Sequence, residues 1–368
     1  MRKGPHPLAV QLGLAASAQG VSGDFLLQDE GVVREDLKAM LLGIQRYQQA
    51  SFVNEREPLE VIWQQGTTTL QSIPGRAIDK NNPVILLIPS MVNRGYILDL
   101  MPGRSMLRWF ADQGITSYLL DWGEGVGDPG QQSVEDIIMQ RLVPGIEYAA
   151  KKSGRAVNVL GYCMGGTLLA GAAIPAAKSI DSLIFLAAPW DFHAGAKNML
   201  ARVQFWAPSA FPAIAEKGFL PKDWMQILFA SLNPDAAARK FSAFVKMKEN
   251  SEEFRLFIAV EDWLNDGVDL PGAVAQHCIK SWFFENATAA QKWQIGGRPV
   301  TLEAIQSRVL VIASKTDRLV DYEAATALAE SIPGAELITP PCGHVGMIAG
   351  AGAIEKVWRP VADWIRKK

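Results

Sequence analysis

Along the chain, short uninterrupted apolar runs alternate with longer stretches in which apolar residues recur every three or four positions. Val84–Ile88, Ser117–Asp121, Val157–Leu160, Leu183–Ala187 and Val309–Ala313 are runs of the first kind. Runs of this length bounded by turn residues predict strands buried on both faces, as in parallel sheets. Leu59–Trp63 and Thr69–Ile73 read as a hairpin pair, while Val134–Lys152 and Thr167–Ala177 read as helices. Each parallel connection needs a crossover, so the alternation predicts an α/β fold: a mostly parallel sheet covered by helices on both faces. The rhythm lapses between Ala187 and Val309, a stretch dense in aromatics from Trp190 to Trp293. The expected division is therefore an N-terminal helical appendage over residues 1–57, a core over 58–189 and 305–368, and an inserted cap over 190–304. In the appendage, Glu35–Gln49 places Leu37, Met40, Leu41, Ile44 and Tyr47 at helical spacing, predicting a helix with one face docked on the core.

Composition narrows the function. The chain has 368 residues, 49% of them hydrophobic, which is ample for one large core. A formal net charge of -2 offers no basic surplus for a polyanion, which argues against a nucleic-acid partner. Cys163, Cys278 and Cys342 cannot all pair, and their scatter suits neither a disulfide framework nor paired zinc ligands. A reducing compartment is the expectation. Leu8–Ala18 is flanked by Arg2 and Lys3, but Gln11 and Gln19 interrupt the apolar character and no small-residue cleavage site precedes Asp24. No stretch reaches the roughly 20 continuous apolar residues of a membrane span. Together these predict a cytoplasmic protein.

Candidate chemistry centres on Gly161-Tyr162-Cys163-Met164-Gly165-Gly166, which follows a predicted strand and precedes a predicted helix. This is the G-x-S-x-G nucleophile turn with cysteine in place of serine. Small neighbours let the chain fold back around a strained nucleophile, and the following helix directs its positive end at the sulfur. A buried packing cysteine is the alternative, and the strand-to-helix context disfavours it. A nucleophile of this kind needs an acid and a histidine later in the chain. Asp317 follows the run Val309–Ala313, and His344 sits in the glycine-flanked loop Pro341–Gly346. His193 and His277 fall in the cap and read as packing residues; Cys278 and Cys342 read as ordinary buried thiols. Two backbone donors for an oxyanion are expected from Met164, next to the nucleophile, and Val92, in the loop after Val84–Ile88. The order of these residues predicts an α/β-hydrolase fold carrying a Cys163–Asp317–His344 triad.

Several segments are similar to those of the polyhydroxyalkanoate synthases: PSMVNRGYILDL from Pro89, SYLLDWG from Ser117, VLGYCMGGT from Val159, WLNDGVDLPG from Trp263, TDRLV from Thr316 and GHVG from Gly343. They recur in family order. The resemblance implies that Cys163 accepts a hydroxyacyl group from coenzyme A, and that His344, assisted by Asp317, serves as base for the thiol and the chain hydroxyl. It implies (R)-3-hydroxyacyl-CoA and a polyester chain as substrates, no cofactor, a smaller partner subunit, a homodimer through the cap and a place at polyester granules. The chain matches short catalytic subunits in size, has Glu285-Asn286-Ala287 only loosely echoing a family segment, and carries Cys342 where glycine is frequent. Two other readings keep the same residues: a depolymerase or thioesterase using the triad on water, and a non-catalytic subunit that binds polyester through its aromatic cap. Cysteine as nucleophile leans toward transfer.

Overall fold

A computed structural model describes residues 2–18, 35–76, 79, 81–124 and 132–367. The apolar runs form the centre of an eight-stranded sheet: β1 (Glu60–Gln65), β2 (Thr68–Ser72), β3 (Val84–Ile88), β4 (Thr116–Asp121), β5 (Val157–Tyr162), β6 (Ile180–Leu186), β7 (Arg308–Ile312) and β8 (Glu336–Ile338). Their spatial order is β1-β2-β4-β3-β5-β6-β7-β8, and only β2 runs against the others. Alternate residues feed two core layers. Leu86, Val159, Phe185 and Val311 face one side; Leu87, Leu160, Ile184 and Ile312 face the other. β8 escaped the sequence reading because its residues are exposed or only half-buried at the sheet edge, so they carry no continuous apolar run.

Helix ends differ from expectation for local reasons. α1 (Leu8–Ala18) and α2 (Glu35–Gln49) form the N-terminal segment, and α3 (Met164–Ala172) follows the nucleophile turn. α3 begins three residues before the predicted Thr167 and stops five before Ala177, because Gly165 and Gly166 serve its first turn instead of breaking it. The predicted helix Val134–Lys152 is present but contains a π-helical turn over Ile138–Leu142. Between β6 and β7 lie α4 (Asn198–Lys217), α5 (Lys222–Leu232), α6 (Ala236–Val245) and α7 (Glu252–Asn265), followed by shorter helical turns.

The apolar face of α2 docks on this helical insertion and not on the sheet core. Leu37, Met40, Ile44 and Tyr47 bury against Phe241, Phe244 and Ile258, while Leu41 remains 43% exposed. Arg2 ties the extreme N-terminus to the same place: its guanidinium donates to Asp262 Oδ1 at 2.8 Å and to the carbonyls of Ala50 and Phe52 at 2.7 Å each. Tyr47 Oη donates to Asp262 at 2.6 Å.

The α2–α6 contact is close because Gly43 has no side chain; a Cβ there would lie 2.0 Å from the Phe241 carbonyl oxygen. Alanine is the better helix former by about 1 kcal/mol, but overpacking against backbone costs about 1–3 kcal/mol. Gly43→Ala is expected to lower the thermal midpoint. Gly13→Ala, at a helical site with nothing within 4 Å of its Cβ, is expected to hold or raise it. Calorimetry of both variants checks the pair, and an equal response at the two sites would refute the packing account.

Candidate active site

The turn between β5 and α3 is held by packing. Cys163 has φ 55° and ψ -127°, a conformation L-residues rarely adopt and that costs of order 1–3 kcal/mol. Its N–H donates to the Leu186 carbonyl at 2.9 Å, and its carbonyl accepts from Gly166 N–H at 2.9 Å. The neighbouring glycines are needed for room. A Cβ on Gly161 would meet Gly166 Cα at 2.5 Å, one on Gly165 would meet the Pro89 carbonyl at 2.4 Å, and one on Gly166 would meet Ala188 Cβ at 2.3 Å.

The loops after β7 and β8 bring Asp317 and His344 together at the same carboxyl edge of the sheet. His344 Nδ1 lies 2.7 Å from Asp317 Oδ2, and both side chains are nearly inaccessible. Asp317 Oδ1 accepts from the N–H groups of Leu319 at 2.8 Å and Val320 at 3.1 Å, so the carboxylate is fixed from both sides. With Nδ1–H donated to Asp317, Nε2 is the nitrogen left for Cys163. Burial opposes a charge on His344, but Asp317 and then Cys163 outweigh it, and the imidazole pKa is pushed up to about 10. Tyr162 packs its ring 5.0 Å from the His344 ring and donates its hydroxyl to the His344 carbonyl at 3.4 Å.

Cys163 and His344 open into a cavity of about 270 Å³. Phe192, Leu200 and Trp282 from the insertion line it, as do Val92 and Met164 from the loops expected to supply oxyanion donors. The Val92 N–H is engaged by Ser90 Oγ at a long 3.3 Å. Residues that the sequence reading did not assign to the site also reach this space. Cys278 lines it, with burial pushing its thiol up to about 12, and so does Asp321, whose carboxyl pKa burial raises. No local motif marked Cys278, because its relation to Cys163 depends on how the insertion folds back over the sheet; Asp321 comes from the loop after β7 that also carries Asp317. His193 donates its Nε2–H to the Phe283 carbonyl at 2.7 Å, and neither it nor His277 lines the cavity. Cys342 is half-buried against the second core layer.

Comparison with known proteins bears on the fold and the family. A family model described as alpha/beta hydrolase fold matches residues 149–351, more than half of the chain. The poly(3-hydroxyalkanoate) polymerase subunit PhaC of Haloferax mediterranei is 26% identical over 319 residues, covering 85% of this chain and 64% of that protein. This chain thus spans just under two thirds of that relative's length. The corresponding PhaC subunit of Synechocystis is 24% identical over 322 residues, covering 84% of this chain and 85% of its own. Among solved structures, a carboxylesterase of Nitrososphaera gargenis superposes with a TM-score of 0.51 at 12% identity, covering 84% of this chain and 99% of the esterase, a likeness of fold. Among the described residues no helix is long and apolar enough to cross a membrane. The chain belongs to the α/β-hydrolase fold family and, within it, to the PhaC polyhydroxyalkanoate synthase family.

Proposed function

We propose that the chain transfers (R)-3-hydroxyacyl groups from coenzyme A to a growing polyester through a thioester on Cys163. One observation carries this reading: a positive-φ cysteine and a His344 imidazole backed by buried Asp317 face the same largely apolar cavity. The names of the relatives, polymerase subunits, supply the acyl class. Residues 190–304 act as the cap over the site. A smaller partner subunit and a second copy of the chain through the cap belong to the same reading.

In the proposed cycle His344 starts protonated, with Cys163 as its thiolate partner. The sulfur attacks the thioester carbonyl, and the N–H groups of Val92 and Met164 receive the oxyanion. The carbon–sulfur bond to coenzyme A breaks, and the His344 Nε2 proton leaves on the coenzyme A thiol. Neutral His344 then takes the proton of a chain hydroxyl, whose oxygen attacks the Cys163 thioester. An ester bond forms, the Cys163 sulfur departs, and the starting ion pair returns. Thioester exchange in the first half costs little energy, and an apolar cavity limits the water that would divert the second half.

With (R)-3-hydroxybutyryl-CoA as substrate, coenzyme A release and polymer formation are expected together. Cys163→Ala should lower both by at least about a thousandfold, the scale on which nucleophile removal acts. Coenzyme A and acyl product are followed in the same reaction; free hydroxy acid as the product would identify hydrolysis and overturn the transfer reading.

The raised His344 value has a sign that can be tested. Because the negative partners hold the proton on, removing one charge must lower the value. Nitrogen-resolved NMR of the imidazole is expected to show His344 protonated at neutral pH and titrating near 10. In Asp317→Asn the titration should move down by about one unit or more. An unchanged midpoint in the variant would mean that the Asp317 charge is not what holds the proton.

A further inference from the structure

The loop that carries Val92 is bound on three consecutive residues by one short segment of the insertion. Trp263, near the end of α7, donates its indole N–H to the Arg94 carbonyl at 2.7 Å. Asn93 pairs with Gly267 in an antiparallel bridge and sends its Nδ2 toward the Trp263 carbonyl at 3.5 Å. Val268 N–H approaches the Val92 carbonyl at 3.5 Å. Trp263 itself is 6% exposed and lines the cavity that holds Cys163. The indole contact is the shortest of these and the one least able to slip, because the ring is packed.

We propose that Trp263 is a positioning residue for catalysis: its indole N–H, through the Arg94 carbonyl, sets the orientation of the 92–94 backbone and so aims the Val92 N–H at the oxyanion. The loop needs such support. Its own internal restraint on that N–H is the long Ser90 Oγ contact, which a substrate carbonyl must displace. On the other side, Gly165 allows α3 to approach the Pro89 carbonyl, so the start of the loop is fixed by the nucleophile helix and its end by the insertion. An oxyanion donor works only if it is already aimed where charge develops, and loosening one should cost rate without costing ground-state affinity. The insertion therefore contributes to the chemical step as well as to the cavity wall.

This inference rests on the acyl-transfer reading and on Val92 as donor, and the test separates the two. Trp263→Phe keeps an aromatic ring and removes only the N–H. Steady-state transfer from (R)-3-hydroxybutyryl-CoA is expected to show kcat lowered about tenfold, a fraction of what losing an oxyanion donor costs, with KM within about twofold. Binding of 3-hydroxybutyraldehyde, which forms a tetrahedral adduct with the thiol, should weaken by a similar factor, whereas a thioether analogue of the acyl-CoA should bind as before. Alkylation of Cys163 by iodoacetamide needs no oxyanion donor and should proceed at the wild-type rate. A wild-type kcat in Trp263→Phe would overturn the positioning role. So would parallel losses in alkylation and thioether binding, which would mark Trp263 as a structural residue. If the wild-type protein itself transfers no acyl group yet alkylates normally, the acyl-transfer reading fails and takes this inference with it.

Discussion

The structure depends first on the backbone at Cys163. A left-handed residue between a strand and a helix stores of order 1–3 kcal/mol and survives only where its surroundings leave no alternative. Here the surroundings are three adjacent strands and the helix itself. β6 receives the Cys163 N–H at Leu186, the carbonyl of Cys163 starts α3, and three glycines bring that helix within contact of Gly161, Pro89 and Ala188. The turn is therefore supported by β3, β5 and β6 at once, adjacent members of the sheet. A side chain at any of the three glycines would push the helix off the sheet and release the strain that presents the sulfur.

From that point the charge distribution follows from burial. Asp317 is nearly inaccessible, yet two backbone N–H groups and an imidazole satisfy it, so its charge is compensated where it lies. His344 is buried beside it and takes a raised pKa because its negative neighbours outweigh the desolvation cost. Cys278 shows the opposite case in the same cavity: burial pushes its thiol up to about 12, and a backbone hydrogen bond offsets this only in part.

How far the sequence could be read follows from how local each signal is. β3, β4, β5, β6 and β7 were legible because strands buried on both faces carry near-continuous apolar runs, and Cys163, Asp317 and His344 could be grouped because the first two follow such runs and the third lies in a glycine-flanked loop late in the chain. Signals that depend on partners were not. α2 was amphipathic in sequence, but nothing in its spacing distinguishes a sheet surface from the Phe241–Phe244 face of α6, and Leu41 on its margin stays exposed. β8 is too short and too exposed to announce itself. The helix after the nucleophile was placed late because glycine there reads as a breaker, when its role is to permit close approach. Cys278 and the aromatic lining reach the site only through the long-range path of the insertion.

That path bears on the difference between transfer and hydrolysis. A triad alone activates water and hydroxyl alike, so selectivity must come from which acceptor reaches the acyl-enzyme and whether the machinery is assembled when it does. In this fold both conditions fall on the same segment. The insertion supplies Phe192, Leu200 and Trp282 to an apolar wall, and its Trp263–Val268 stretch grips the loop bearing Val92. The same helix, α7, carries Asp262, to which Arg2 and Tyr47 of the N-terminal segment donate. Displacing the insertion would therefore open the cavity to water and loosen the loop that bears Val92 together. If Val92 is the oxyanion donor, as proposed, a site whose wall and donor share one support would lose rate in any conformation that admits water, and a polymer hydroxyl bound within the cavity would be favoured over solvent.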